Sequence, residues 1–196
     1  MNGPLQLRFK ILALAPQITV ADADGRTVMY VKQKMFRLRE SVTVYGDETQ
    51  STPLYRIEAD RILDISARYR ITDAASGTEL GVVQRRGIRS LWSAHYEVVF
   101  GGRNAMTIRE ENPWIKVIDG LMQQIPVLGM LSGYVFHPSY VVSDVVAGQA
   151  VMRATKQAAF LEGRYRVETL GQLDDAPERV AVLSILMMLL LERARG

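Results

Sequence analysis

VAVLSILMMLLL, residues Val180 to Leu191, is apolar on every side, with Ser184 its single polar interruption. Leu and Met dominate the run, which favours a helix over a strand. Upstream, Asp175 followed three residues later by Glu178 makes a capping box, with Pro177 inside the first turn. Downstream, Arg193 and Arg195 place cations where the helix dipole favours them. A helix that is apolar all round must lie in protein or in lipid. Its twelve residues rise only ~18 Å, against the ~30 Å of hydrocarbon that a spanning helix must cross. The stretch therefore predicts a buried core helix and no transmembrane span. Val180, Leu183, Leu186, Met187 and Leu190 are its expected core contacts, and the rest of the chain must supply a container for them.

A chain of 196 residues is enough for one well-buried domain and short for two, so residues 1–196 are expected to form a single unit. The 48% apolar and 23% charged content is that of a globular protein rather than a disordered one. A net charge of +3 and a pI near 9.3 point mildly toward anionic partners, without the strong basic bias that nucleic acid would call for. The absence of cysteine excludes disulfides, zinc-thiolate sites, thiol catalysis and palmitoylation, and it suits a cytoplasmic location. Arg8 and Lys10 precede Ile11 to Ala15, an apolar stretch too short for a signal-peptide core, so no export signal is expected.

Upstream of the helix the chain repeats itself. Ile18-Thr19-Val20 leads through Asp22-Ala23-Asp24-Gly25 to Val28-Met29-Tyr30-Val31, and Val42-Thr43-Val44-Tyr45 through Gly46-Asp47-Glu48 to Leu54-Tyr55-Arg56-Ile57. Tyr69-Arg70-Ile71 passes Asp73 and Gly77 to Leu80-Gly81-Val82-Val83, and Tyr96 to Phe100 turns at Gly101-Gly102 into Ala105-Met106-Thr107-Ile108. These units start 24 to 27 residues apart. Tyr140-Val141-Val142 to Val151-Met152-Arg153-Ala154 resumes the pattern, and Tyr165-Arg166-Val167 leads to the helix. Apolar residues two apart (Tyr69 and Ile71, Tyr96 and Val98, Tyr165 and Val167) alternate with Arg70, Glu97 and Arg166, so each unit is a β-hairpin with one dry face.

Six such hairpins give about a dozen strands, and a sheet of that size closes or curls. Tilted strands of roughly eight residues make a wall ~20 Å high, which matches the apolar helix in length. The expected fold is mainly β: an antiparallel barrel of about twelve strands around a hydrophobic C-terminal helix. A β-sandwich with the helix packed outside would demand a polar helix face, and this helix has none.

Residues 111 to 139 interrupt the repeat. Asn112 can cap a short helix with Pro113 at its first position and Pro126 past its end. Trp114, Ile118, Leu121 and Ile125 fall on one face at helical spacing, so an amphipathic helix is expected there, covering a barrel end or forming a docking surface. One Lys and one Asp on its polar side do not make the strongly basic face of a membrane-surface helix.

The hairpins, the terminal helix and Tyr30-Val31-Lys32-Gln33-Lys34-Met35-Phe36 together resemble the LURP-one-related proteins, of the tubby-like superfamily that includes phospholipid scramblases. The resemblance covers about residues 17 to 110 and, more loosely, about the final 55. It implies a twelve-stranded barrel threaded by a hydrophobic C-terminal helix. It also implies a non-enzymatic protein, since tubby proteins bind phosphoinositides through basic residues on the barrel exterior. Scramblases are associated with lipid redistribution, but their membrane-proximal cysteines have no counterpart here.

Lys32 and Lys34 stand two apart on a strand, hence on one face, as do Arg37 and Arg39 beyond them. Arg85, Arg86 and Arg89 follow the third hairpin, whose return strand is expected near the first cluster. Convergent Lys and Arg can engage several phosphate oxygens; a solvated wall whose charges oppose aggregation explains the same residues without a ligand. His95 and His137 have no second His at metal-ligand spacing, and Asp22-Ala23-Asp24-Gly25 lacks the spacing of a calcium loop, so neither a metal nor a cofactor is expected. Ser132 is no nucleophile elbow, because Met130 stands where glycine is required. The expected function is recognition of an anionic phospholipid or phosphoinositide headgroup, with peripheral membrane contact. Two alternatives remain: a lipid-moving protein, which needs a cavity beside the terminal helix, and a protein-interaction module docking through residues 113–136.

Overall fold

A computed structural model describes residues 3–10, 17–32, 41–60, 67–85, 94–111, 138–159 and 162–193. Twelve strands follow one another: β1 (Leu5–Lys10), β2 (Gln17–Ala21), β3 (Thr27–Lys32), β4 (Ser41–Tyr45), β5 (Pro53–Ala59), β6 (Arg68–Asp73), β7 (Glu79–Arg85), β8 (His95–Phe100), β9 (Arg103–Glu110), β10 (Ser139–Asp144), β11 (Ala150–Gln157) and β12 (Glu162–Thr169). The helix α1 (Asp175–Arg193) comes last. Each strand pairs antiparallel with its neighbours in sequence, and β1 pairs with β12 to close the barrel. Closure leaves no edge strand, which disposes of the aggregation hazard of an open sheet.

The alternation that marks the hairpins also sets the inside of the wall. Leu7, Ile18, Val42, Val44, Ile57, Ile71, Val98, Ile108 and Val142 are completely buried, and their neighbours in sequence face outward. Within that wall α1 is buried continuously from Val180 to Leu191, so Val180, Leu183, Leu186, Met187 and Leu190 form the plug that the sequence predicts. Ser184 costs little there, because its hydroxyl donates to the Val180 carbonyl oxygen at 2.6 Å.

One detail of the helix start differs from the expectation. The Glu178 N–H bonds the carbonyl of Asp174 at 3.0 Å, so Asp174, not Asp175, is the capping residue. Glu178 does not close a capping box with it; it is buried and accepts from the Thr169 hydroxyl at 3.3 Å. Pro177 falls in the first turn, where no intrahelical partner for its missing N–H is needed.

Antiparallel order gives the barrel two unlike rims. At the turn rim, four hairpins open on an aspartate that accepts backbone N–H groups through Oδ1: Asp22 from Asp24 and Arg26, Asp47 from Thr49, Asp73 from Ala75 and Ser76, Asp144 from Val146 and Ala147. Gly25, Gly77 and Gly148 then take positive φ to bring the chain back. The helix enters here: Val180 packs against Gly81 near the start of β7. At the opposite rim, the tail rim, odd-numbered strands end and even-numbered ones begin. There the Tyr96 hydroxyl donates to Glu192 Oε1 at 2.8 Å and fixes the last turn of α1. The amphipathic helix expected within 111–139 lies outside the described residues.

Candidate functional site

Lys32 ends β3 at the tail rim, exposed on the outer face. Register then extends a row of polar groups sideways from it. Lys32 stands opposite Gln17 of β2, Gln17 opposite Lys10 of β1, and Lys10 opposite Glu162 of β12. One step up the wall, Arg8 lies between Thr19 and Arg164, and beyond it Gln6 faces Arg166. The outer faces of β12, β1, β2 and β3 thus carry Arg8, Lys10, Lys32, Arg164 and Arg166 against two carboxylates, Glu162 and Glu168.

Those carboxylates are engaged within their own strand. Arg164 makes a close ion pair with Glu162, and Arg166 Nε lies 2.9 Å from Glu168 Oε1. Arg8 donates to Gln6 Oε1 at 3.3 Å. Arg8, Arg164, Arg166, Gln6 and Gln157 line an outer groove of about 160 Å³. Like charges directly opposite one another on adjacent strands destabilise a sheet. The Arg8–Arg164 pairing is such an opposition in register, with Arg8 reaching along its strand to Gln6 and Arg164 along its own to Glu162.

These residues are not the ones that local reading singles out. Of that set, Lys32 belongs to the basic wall, whereas Arg85 does not. Arg85 stands opposite Tyr96 on the inward side of β7, half-buried, and three strands separate β7 from β3. The structure therefore does not bring Lys32 and Arg85 together. Lys34, Arg37, Arg39, Arg86 and Arg89 lie outside the described residues, as do Trp114, Ile118, Leu121 and Ile125. Arg8, Lys10, Arg164 and Arg166 were legible as the polar half of the alternations LQLRFK and RYR, but their convergence depends on a pairing between opposite ends of the chain.

His95, on the outer side of β8, faces Arg109. Among the described residues no three His, Cys, Asp or Glu side chains are placed to hold a metal ion, and no helix is long and apolar enough to cross a membrane.

A closed antiparallel barrel of twelve strands with a hydrophobic helix down its bore is the tubby-like class of fold. Within that class the chain belongs to the LURP-one-related family, whose profile matches residues 27–174. The fold is similar to the X-ray structure of the Arabidopsis thaliana protein AT5G01750, with a TM-score of 0.51 and 15% sequence identity over 97% of this chain and 91% of that one. No curated protein matches the chain.

Proposed function

We propose that this protein is a non-catalytic binding protein that meets an anionic phospholipid surface with the outer wall formed by β12, β1, β2 and β3. The observation that carries the reading is the cross-strand opposition of Arg8 and Arg164, flanked by Arg166, Lys10 and Lys32. The chain keeps two arginines opposite one another in register where a neutral pair would give a more stable wall. An anionic headgroup laid over this row of arginines and lysines offsets the crowding of like charge with charge-assisted hydrogen bonds. The protein then sits peripherally at the cytoplasmic face of a membrane, its apolar helix remaining sealed in the bore.

A basic residue near an anionic leaflet is worth roughly 1 kcal/mol, so removing two costs ~2 kcal/mol, or about thirtyfold in vesicle affinity. Co-sedimentation with phosphatidylcholine vesicles, with and without phosphatidylserine, tests this for the wild type and for Arg8→Gln/Arg164→Gln. The wild type should bind the anionic vesicles, more weakly at high salt, and the double variant should lose most of that binding while melting no lower. Equal wild-type binding to both vesicle types, or an unchanged double variant, removes the proposal.

A further inference from the structure

At the tail rim a cavity of about 470 Å³ lies between the last turn of α1 and the wall formed by β10, β11, β12 and β1. Its apolar surface comes from Phe9, Tyr140, Tyr165 and Leu189. Tyr165 meets Phe9 edge-on at 5.7 Å between ring centres, with Tyr140 6.5 Å away on its other side, so the three rings form one aromatic surface. Two cations border it: Lys156, on the inward side of β11, and Arg193, whose guanidinium lies 5.6 Å above the centre of the Phe9 ring.

Charge decides what such a cavity takes. Two carboxylates also line it: Arg164 neutralises Glu162, whereas Glu192 accepts the Tyr96 hydroxyl and keeps its charge, which leaves Lys156 and Arg193 against the single charge of Glu192. Among the described residues neither Lys156 nor Arg193 makes an ion pair. Burial pushes the Tyr165 phenol up to about 12 and raises Tyr140 too, so both are neutral hydroxyl groups at physiological pH and can donate to an anion. The volume falls within the ~300–1,000 Å³ of small-molecule sites. It has room for one chain or ring system rather than a whole two-chain phospholipid.

We infer that this cavity binds a single-chain anionic amphiphile, its head between Lys156 and Arg193 and its apolar body against Phe9, Tyr140, Tyr165 and Leu189. The site lies at the tail rim rather than on the outer basic wall, which it touches through the Glu162–Arg164 pair. A carboxylate head and a phosphate monoester head share the required chemistry. The first would come from a free fatty acid and the second from a single-chain phospholipid.

Titration of the full chain with dodecanoate, dodecyl phosphate, dodecanol and dodecyltrimethylammonium, each below micelle formation, tests the inference by calorimetry. The wild type should bind at least one of the two anions at one-to-one stoichiometry, and the preferred head identifies the source. Lys156→Met and Arg193→Met should each weaken that binding roughly tenfold, as loss of a charge-assisted hydrogen bond does. Anionic-vesicle binding by Lys156→Met should stay at the wild-type level, so this inference and the outer-wall proposal can fail separately. Absence of binding by either anion, preference for the cationic amphiphile, or unchanged affinity in both variants overturns it. Should either variant misfold, a spin-labelled dodecanoate on the wild-type chain gives the answer by NMR. Broadening of the Leu189 methyl and Gly163 amide signals supports the site, and its absence there rejects it.

Discussion

A methyl group placed on Gly81 tests whether α1 occupies the bore at the observed depth. That carbon would stand 2.7 Å from the Val99 carbonyl oxygen and 2.9 Å from Val180 Cγ1. The first neighbour is backbone in the adjoining strand and cannot swing away; the second belongs to the first turns of a helix enclosed on all sides. Overpacking of this kind costs ~1–3 kcal/mol, and for a chain of this length ~2 kcal/mol lowers Tm by about 4–8 °C. Val180→Ala alone should cost a similar amount, because it removes two buried methyl groups and leaves a cavity. Together the changes must interfere: the alanine at 180 removes one of the two clashes and the methyl at 81 fills part of the void. Equilibrium urea denaturation followed by circular dichroism should therefore show the double variant less destabilised than the sum of the singles by about 1 kcal/mol. Additive costs within ~0.5 kcal/mol, or a neutral Gly81→Ala, would refute the placement of Val180 against β7.

Two further predictions concern pH. Asp73 is held below its usual 3.8, first by the Ser76 backbone N–H at 2.8 Å and then by the Ser76 hydroxyl at 2.9 Å. A carboxylate depressed in the folded state contributes stability in full above its unfolded value and loses it as pH falls through the folded one. NMR titration of the aspartate carboxyls should show Asp73 moving up toward the ordinary value in Ser76→Ala; an unchanged midpoint contradicts the assignment. Tyr165 behaves in the opposite sense. Burial raises its pKa from 10.0 to about 12, so above pH 10 the unfolded chain gives up a proton that the folded one keeps, and stability falls as pH rises toward 12. Tyr165→Phe should flatten that alkaline decline in denaturation midpoints measured between pH 9 and 12; an identical slope contradicts the burial of the phenol.

The parts of this structure that local chemistry dictates are legible in the chain, and those set by long-range pairing are not. Val180 to Leu191 has no polar face, which leaves only the bore for it, and an Asp, a Gly or both in each turn mark the hairpins from β2 to β11. β1 is easily overlooked: Leu5, Leu7 and Phe9 alternate with Gln6, Arg8 and Lys10 for only six residues, beside a more conspicuous apolar stretch. Its partnership with β12, and with it the meeting of Arg8 and Arg164, has no local signal. Arg85 shows how parity is lost. Val82 and Val83 are both apolar and both buried, one on each face of the sheet, so the inward side of β7 cannot be assigned from them alone. Asp174 and Asp175 are chemically equivalent caps, and sequence does not choose between adjacent aspartates.

The seam between β1 and β12 has a consequence for the order in which the molecule assembles. Leu5 finds Val167 only when nearly the whole chain is available, and contacts so distant in sequence slow folding. The helix follows β12, yet it ends up surrounded on every side. A finished tube would admit it only end-on, whereas a wall still open along the seam would admit it from the side. A curled sheet with the apolar helix lying in its open trough would be the form most exposed to aggregation.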